Sequence, residues 1–464
     1  MNDWTLRPRG WALPIVMFAL ASFYASSPTD AYAAAVAAKP AKQFVNSIGV
    51  ASHFAWGNSV YRTQYGKVKA ALDELGIHHI RDDVGNTAAM QTFKDLYQTL
   101  GVKLTGVVDT RTGSGRNSRL DPSGIQPELD RIKSMLGTQA VVALEGPNEY
   151  NILERDYGIK DWPTALRSFQ GNLYSRVRSD PKLNNIPVIG PTMAGPNIDY
   201  YYSMIGNYSS IADIGGIHIY PNYLGFEEKA DWALPAAAPS IPGTRFVVTE
   251  TGYHTASNSG AQYVDEATAI KYLPRTMLSS FTNPQIARMF IYQLLDPSDN
   301  PAKTITGAHF GLMSYGLERK GRFYAVRNLM HVLCDSTWTF STKSLNYTLT
   351  GDLADVRTVL LQKSNGAFYL VLWQERQGFE KSGQIVNAPQ AATLKFNTNI
   401  QLVRHYLPAD PTSNYLWSRD TPVKTRSNPT SIDLNIRDYV EVLEIVPAGV
   451  PVPKLSLSCD FIAS

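Results

Sequence analysis

The decapeptide VVALEGPNEY, residues 141–150, places two glutamates at the end of an apolar run. Residues 141–144 predict a short buried strand, and the Gly-Pro pair that follows Glu145 predicts the turn that ends it. The stretch RFVVTE, residues 245–250, has the same form and ends in Glu250. Carboxylates at the ends of buried strands can serve a function if the ends of several strands surround one site.

Short apolar strands alternate with amphipathic helices over the first three quarters of the chain. We predict strands at residues 44–54, 78–84, 102–109, 140–145, 187–192, 213–220, 245–250 and 286–295. Helices are predicted at residues 60–75, 88–100, 125–136, 162–179, 198–205, 262–280 and 322–333. The link between residues 220 and 245 is rich in Pro and Ala and only weakly helical.

Eight strands with crossovers over roughly 290 residues match the size of an α/β fold of the (β/α)8 type, the TIM barrel. A doubly wound open sheet is the alternative. Such a sheet usually has a glycine-rich first βα turn, and the segment ASHFAWGNSV, residues 51–60, has none. The barrel is therefore the predicted fold.

The helical period ends near residue 335. The segment VRTVLLQKSNGAFYLVLWQE, residues 356–375, predicts two strands around a Ser-Asn-Gly turn, and residues 397–408 and 439–447 predict further strands. The sequence therefore predicts a catalytic barrel at residues 44–334, a small all-β sandwich domain at 335–448 and a C-terminal tail at 449–464.

The N-terminus has the pattern of an export signal. Arg7 and Arg9 precede an apolar stretch at residues 11–25, and Ala31-Tyr32-Ala33 fits a cleavage site. We interpret residues 1–33 as a secretory signal peptide and residues 34–43 as a linker. An uncleaved anchor is the alternative, although the apolar stretch is short for a membrane span. We expect a secreted or periplasmic protein that is not membrane-bound after signal cleavage.

Composition argues against several classes of protein. The 464 residues are 44% hydrophobic and 18% charged, as in a globular chain, and the net charge of +3 is too small to favour nucleic-acid binding. No His, Cys and carboxylate residues share a metal-ligand spacing, so we expect neither a metal nor an organic cofactor. Cys334 and Cys459 are expected to form one disulfide or to remain two buried thiols. Composition does not set the oligomeric state.

Polar residues collect where the predicted barrel strands end, which is the end where barrel enzymes carry their chemistry. In chain order they are His53, Trp56, Arg81, Asp82, Asp83, Asp109, Asn148, Glu149, His218, Tyr220, Glu250 and Tyr292. The strand bodies are apolar, so this distribution predicts a polar mouth above an apolar barrel. The three aspartates are expected to have structural roles at the rim.

Glu149 and Glu250 are the pair with the clearest chemistry. They follow the fourth and seventh strands, which lie on opposite sides of an eight-stranded barrel, so the carboxylates are expected to face each other across its mouth. Two facing carboxylates in different environments suit glycoside cleavage, with one protonated as the acid and the other ionised as nucleophile or base. The alternative is that each glutamate caps a helix or forms an ion pair. Glu145 is expected in a salt bridge at the barrel top.

These motifs resemble those of clan A of the glycoside hydrolases, whose members are retaining (β/α)8 enzymes. GPNEYN, residues 146–151, resembles the clan's strand-4 Asn-Glu pair, and FVVTETGYHT, residues 246–255, resembles the segment with its strand-7 glutamate. HHIRDD, residues 78–83, resembles the strand-2 arginine motif, and GIHIYP, residues 216–221, the strand-6 His-x-Tyr. With its trailing β-sandwich, the chain most resembles glycoside hydrolase family 39.

The resemblance implies a role for each matching residue. Glu149 would be the acid/base, and Glu250 would be the nucleophile. Asn148 would hold the 2-hydroxyl of the sugar next to the nucleophile. Arg81 would hydrogen-bond Glu250 and keep it ionised, because an adjacent cation favours the charged carboxylate. Tyr220 would also donate to Glu250.

Three further residues are expected to contact the substrate. His218 would touch the sugar or Glu149, with a satisfied core histidine as the alternative. Many clan members carry a Trp late in strand 8, and MFIYQLLD, residues 289–296, has none. Trp56 or Tyr292 would then supply the platform on which the sugar stacks.

The loop RTGSGRNSRLDPSG, residues 111–124, follows the third strand. Its arginines, Arg111, Arg116 and Arg119, would suit an acidic polysaccharide, and a merely solvated loop is the alternative.

The leading hypothesis is a secreted retaining glycoside hydrolase that acts on a polysaccharide or oligosaccharide, with exopolysaccharides among the candidate substrates. A transglycosidase that remodels glycan would use the same residues. A catalytically inactive, carbohydrate-binding barrel is the alternative from a different class, and the presence of both Glu149 and Glu250 argues against it.

Overall fold

The computed structural model describes residues 35–335, 337, 339–412 and 421–454. The predicted signal peptide, residues 1–33, and Cys459 lie outside the described residues, so the cleavage site and the disulfide stay predictions. Among the helices of the described segments, none combines the length and the apolar character needed to cross a bilayer.

Eight parallel strands form the first part of the fold. They are β1 (Ile48–Ala51), β2 (His79–Asp83), β3 (Lys103–Val107), β4 (Val141–Glu145), β5 (Val188–Ile189), β6 (Gly215–His218), β7 (Phe246–Thr251) and β8 (Ile286–Ile291). Their hydrogen-bonded order is β6-β7-β8-β1-β2-β3-β4-β5. A parallel bridge between Ile189 and Ile214, directly before β6, joins the two ends of the sheet. The sheet therefore closes into a barrel, which confirms the predicted fold class.

One helix follows each strand before the next begins. These helices are α1 (Tyr65–Leu75), α2 (Thr87–Leu100), α3 (Ile125–Arg131), α4 (Trp162–Ser179), α5 (Ile198–Ile205), α6 (Phe226–Ala237), α7 (Glu266–Thr282) and α8 (Gly321–Leu333). A π-helical turn at Ile132–Leu136 extends α3 to the predicted length. Short helices also occur at Val60–Thr63 and Ile152–Tyr157.

Local sequence signals set the ends of these helices. The Asn86 side chain accepts hydrogen bonds from the backbone N–H groups of Ala88 and Ala89, so it caps the start of α2. Gly101 ends the same helix with φ at 67°, a left-handed conformation that glycine adopts without steric cost. The next strand can therefore start two residues later.

The segment before the barrel differs from the prediction. Residues 34–43 are predicted to be a linker and residues 44–54 the first strand, but a helix at Ala41–Asn46 precedes β1. Ala41, Phe44 and Val45 are its buried apolar residues, and their spacing of three and four residues belongs to a helix face rather than a strand. The predicted linker also contributes two short strands, at Val36–Ala37 and Lys39–Pro40, to the β domain.

The C-terminal part of the described chain is a β-sandwich domain. One sheet contains Tyr347–Gly351, Gln390–Phe396 and Ser431–Ile436. The other contains Lys39–Pro40, Val356–Gln362, Phe368–Gln374, Glu441–Pro447, Ile400–Tyr406 and Lys424–Ser427. Short strands at Ser344–Leu345, Phe379–Glu380 and Gly383–Gln384 complete the domain. Buried residues alternate with exposed ones along Ser431–Ile436, as expected for a strand with one face on the core.

Buried ion pairs attach the β domain to helix α7. Arg275 Nη2 lies 2.6 Å from Glu375 Oε1, and Lys271 Nζ lies 2.8 Å from Asp438 Oδ2. The predicted tail begins along the same domain, because Arg404 Nη1 donates to Pro453 O at 3.0 Å. The β domain therefore braces the helix that follows the Glu250 strand.

Candidate active site

Arg81 is the centre of the polar network at the barrel mouth. Its Nε and Nη2 donate to the two carboxylate oxygens of Glu145 at 2.6 and 2.8 Å. Its Nη1 donates to Glu250 Oε1 at 2.7 Å, and Nη2 also donates to Asn148 Oδ1 at 2.7 Å. Burial opposes the charge on Arg81, but the carboxylates of Glu145 and then Glu250 outweigh it and raise the Arg81 pKa well above its usual value. Arg81 thus links β2, β4 and β7, and Glu145 forms the expected salt bridge.

Glu250 is held at both carboxylate oxygens. Tyr220, two residues beyond β6, donates its hydroxyl to Oε2 at 2.6 Å, while Arg81 occupies Oε1. His218 Nδ1 lies 3.6 Å from Oε2. The carboxylate therefore has a fixed orientation at the tip of β7.

Glu149 faces this group from the other side of the mouth. Its Oε1 lies 2.8 Å from His218 Nδ1. One oxygen of Glu149, one nitrogen of His218 and one oxygen of Glu250 all lie within 4.8 Å of one another. The Glu149 side chain is 26% exposed and that of Glu250 is 10% exposed, so the two carboxylates differ in access to water.

Glu149 and His218 favour each other's charged forms. Burial raises the Glu149 pKa, but the hydrogen bond and the charge of His218 outweigh burial, and the net effect lowers that pKa. Burial lowers the His218 pKa, but the charge of Glu250 and the contact with Glu149 outweigh burial and raise it. The two shifts favour an ionised Glu149 beside a protonated His218, whose Nδ1 lies 2.8 Å from Glu149 Oε1.

The backbone at Glu149 is strained. Its φ is 49°, and a non-glycine residue in this left-handed region costs of order 1–3 kcal/mol, a strain that is found most often at functional sites. The Glu149 N–H donates to Thr192 O at 3.1 Å, which ties this conformation to the segment after β5.

Asn148 is held by the loop after β3. Its N–H donates to Asp109 Oδ2 at 3.0 Å, and its carbonyl oxygen accepts from Arg111 Nη2 at 2.6 Å. Arg111 also pairs with both oxygens of Asp109, at 2.7 and 2.6 Å. Arg111, predicted either to grip an acidic polysaccharide or to be solvated, is instead bound to the strand-4 turn. Asp109 has the structural role expected of it.

The two predicted platform residues lie on the Glu250 side of the mouth. Trp56 is 42% exposed and stacks on His53 with ring centroids 3.9 Å apart and planes at 18°. Burial lowers the His53 pKa to about 4, so this ring is neutral near neutral pH. Tyr292 meets His53 edge-on at 5.9 Å and Tyr220 at 6.1 Å.

Two cavities open beside the carboxylate pair. The first, the Glu250 cavity, has a volume of about 230 Å³ and is lined by Trp56, Arg81, Asp83, Asn148, Glu250 and Tyr292 among others. The second, the Glu149 cavity, has a volume of about 280 Å³ and is lined by Glu149, Pro196, His218, Tyr220 and Lys229 among others. The structure therefore brings all eight predicted site residues to these two adjoining cavities.

Asp83 differs from Asp82 and Asp109 in its hydrogen bonds. The predicted structural role fits Asp82, whose Oδ2 accepts from Ser52 Oγ at 2.8 Å and from Phe54 N at 2.7 Å. Asp83 lines the Glu250 cavity, as Asp82 and Asp109 also do, but its carboxylate accepts no hydrogen bond from the described residues. Burial, followed by the charge of Asp109, raises the Asp83 pKa to about 6.

Glu149, His218 and Glu250 also present three atoms that could ligate a metal ion. The Arg81 guanidinium, 2.7 Å from Glu250, already places a positive charge at this point and disfavours a second cation. The trio suits proton transfer better than metal binding.

No protein-family model matches the sequence. No curated protein matches it either. Among solved structures, the chain superposes on the GH39 enzyme from Xanthomonas axonopodis pv. citri with a TM-score of 0.60 and 15% sequence identity, over 89% of this chain and 96% of that one. The chain has the fold of the family 39 glycoside hydrolases.

Two further solved structures share this family 39 fold. A family 39 glycoside hydrolase from the gut symbiont Bacteroides cellulosilyticus WH2 aligns with a TM-score of 0.54 and 15% identity, over 88% of this chain and 81% of that one. A glucosidase from Croceicoccus marinus aligns with a TM-score of 0.59 and 11% identity, over 90% and 97% of the two chains. The resemblance predicted from the motifs is therefore confirmed for the fold, the β-sandwich included.

Proposed function

We propose that this protein is a retaining glycoside hydrolase that cleaves a polysaccharide or oligosaccharide by double displacement. The observation that carries the proposal is the pair Glu149 and Glu250, which have carboxylate oxygens within 4.8 Å of each other and unlike surroundings. Retaining enzymes hold their two carboxyl groups about 5–5.5 Å apart, whereas inverting enzymes need about 6.5–9.5 Å to admit a water. The short separation favours retention.

In the first step Glu250 attacks the anomeric carbon of the sugar. Arg81 and Tyr220 orient its two oxygens for this attack. Glu149 transfers its proton to the glycosidic oxygen as the bond to the anomeric carbon breaks, so the leaving sugar departs as an alcohol. The product of the step is a glycosyl ester of Glu250.

In the second step the ionised Glu149 takes a proton from water, and the resulting hydroxide oxygen attacks the anomeric carbon. The ester bond breaks, and Glu250 recovers its carboxylate. Two inversions at one carbon give overall retention of configuration. Glu149 ends the second step protonated, as it was at the start of the first step.

His218 supplies the proton that Glu149 needs for the first step. In the free site the pKa shifts of the pair favour a protonated His218 beside an ionised Glu149. A bound sugar displaces water from the mouth, and loss of water disfavours charged groups relative to neutral ones. Substrate binding therefore moves the proton across the 2.8 Å hydrogen bond to Glu149 Oε1.

The positions of the two carboxylates assign the two cavities. Glu250 bonds to the anomeric carbon, so the Glu250 cavity holds the sugar that becomes attached to the enzyme. Trp56 would stack on that sugar, and Asp83 and Asn148 would bind its hydroxyl groups. Glu149 protonates the leaving oxygen, so the Glu149 cavity holds the leaving sugar. Together the cavities fall within the roughly 300–1,000 Å³ typical of ligand sites.

The same proposal includes export from the cytoplasm. The observation behind it is the signal-peptide pattern of residues 1–33, with its arginines, apolar stretch and Ala-Tyr-Ala site. The substrate would then be a glycan outside the cytoplasm or in the periplasm.

A glycan panel with product analysis tests the proposed activity. The protein, a Glu250→Gln variant and a Glu380→Gln control in the exposed part of the β domain are incubated with neutral and acidic polysaccharides. We expect new reducing ends with the protein and the control and none with Glu250→Gln. Longer products without new reducing ends would identify a transglycosidase instead. Glycan that is bound but intact would identify a binding protein and contradict the proposal.

A further inference from the structure

A third cavity, of about 410 Å³, lies at the other end of the barrel. Arg245, directly before β7, and Arg288, near the start of β8, both line it. Lys39, from the strand that the N-terminal segment adds to the β domain, lines it as well. The cavity is therefore formed by the amino-terminal ends of the strands, and the candidate active site lies at their carboxyl-terminal ends.

Among the described residues, the positive charges of this cavity have no anionic partner. Arg288 is partly buried and donates to Asn46 O at 3.3 and 3.1 Å, and its Nη2 also contacts the neutral ring of His79 at 3.3 Å from Nε2. Burial lowers the His79 pKa well below its usual value, so that ring is neutral. Burial also lowers the Arg288 pKa to about 10, with no carboxylate to oppose it.

The two cations at the rim are equally uncompensated. Arg245 Nη2 donates to Ile286 O, and Lys39 Nζ lies 5.0 Å from the centre of the Phe281 ring. Within the described part of the chain, no carboxylate lines the cavity or pairs with Lys39, Arg245 or Arg288. Clustered positive charges without counter-charges repel one another, so the cavity as built favours an anionic occupant.

A buried hydroxyl points to the same conclusion. Ser280, on α7, lines the cavity, and its Oγ is buried without a hydrogen-bond partner in the described residues. Buried polar groups are nearly always hydrogen-bonded, and each exception calls for an explanation. A hydroxyl can donate to an oxygen atom of a bound ligand.

We propose that this cavity binds an oxyanion of the phosphate or sulfate class. The planar guanidinium of Arg288 would form the floor of the site, because its donors match the oxygen spacing of such anions. Arg245 and Lys39 would complete the charge at the rim, and Ser280 would donate its free hydroxyl. The oxyanion is either free or carried on a sugar.

Calorimetric titration of the protein with inorganic phosphate tests the site, with chloride at equal ionic strength as the reference. We expect saturable binding at one site. Arg288→Met should weaken it roughly 10- to 100-fold, because a charge-assisted hydrogen bond is lost. Arg245→Met changes an exposed rim residue, should fold normally and should also weaken binding. Lys182→Met, which removes an exposed cation elsewhere, should leave the affinity unchanged.

A parallel titration with glucose 6-phosphate distinguishes the two sources of the anion. Tighter binding than inorganic phosphate would show that the site takes a phosphate carried on a sugar, and equal or weaker binding would show that it takes the free anion. Either result supports the site only if Arg288→Met and Arg245→Met weaken the binding that is measured. Phosphate binding no stronger than that of chloride, or an affinity unchanged in both variants, would overturn the proposal.

Discussion

Replacing Arg81 by methionine should strongly destabilise the protein. The change keeps most of the side-chain length but removes the charge between Glu145 and Glu250. Arg81 is 6% exposed and Glu145 is fully buried, so the abandoned carboxylate cannot recover its hydration. Removing one partner of a buried ion pair costs about 3–5 kcal/mol. That loss is a large part of a typical free energy of unfolding of about 5–15 kcal/mol.

Urea unfolding at neutral and acidic pH, followed by tryptophan fluorescence, measures this loss. The unpaired carboxylates of the folded variant take up protons as the pH falls. A neutral carboxylic acid costs less free energy to bury than a charged carboxylate. The destabilisation is therefore present at neutral pH and lost on acidification. The difference in free energy of unfolding between the protein and the variant should then become smaller at acidic pH.

Arg376→Met is the matched control for this experiment. Arg376 lies 2.6 Å from Asp355, the same distance as the Arg81–Glu145 pair, but the two side chains are 35% and 40% exposed. An exposed pair contributes about 0–1 kcal/mol. Equal losses for the two variants, or a difference that widens on acidification, would refute the reasoning.

Four further predictions concern the site and the N-terminus. Glu250→Ala should lose nearly all activity on every substrate and regain turnover with inverted product in azide. Glu149→Ala should lower the activity about 10²–10⁴-fold on substrates with natural sugar leaving groups, and only slightly on aryl glycosides with acidic phenols. The pH–activity profile of this variant should also lack its basic limb. Equal losses on both leaving groups would contradict these roles. Asp83→Asn should stabilise the fold at neutral pH. The Asp83 pKa is raised to about 6 in the folded protein. The stability that Asp83 contributes is therefore present below its unfolded pKa and is lost as the pH rises through about 6. Urea unfolding should show that the variant gains at most about 3 kcal/mol in free energy of unfolding at neutral pH and none at pH near 3. Equal gains at both pH values would contradict the raised pKa of Asp83. The exported protein should begin after Ala33, and an intact mass that includes residues 1–33 would contradict the signal peptide.

The sequence predicted those features that depend on short-range patterns. Apolar runs that end in polar residues located all eight strands, and the turn after Glu145 located the strand end that carries Glu149. In a closed barrel, the polar residues at the ends of the strands must lie close together. The partners of Arg81 are not local, because Glu145 and Glu250 lie 64 and 169 residues away in the chain. No pattern in the sequence assigns one guanidinium to both.

The features that the sequence missed have physical reasons. Helix α6 lies in the Pro- and Ala-rich link and contains Pro235, which weakens the local helical signal, yet packing buries Phe226 and Leu234 on one face. The helix at Ala41–Asn46 is too short to be stable alone and depends on tertiary contacts such as the Phe44–Phe281 ring pair.

The central claim is double displacement by Glu149 and Glu250, and the anomeric configuration of the first product tests it most directly. A substrate identified in the glycan panel is hydrolysed in deuterated water, and the anomeric proton is followed by NMR before mutarotation. We expect the first-formed sugar to have the anomeric configuration of the substrate. A first product with inverted configuration would contradict it.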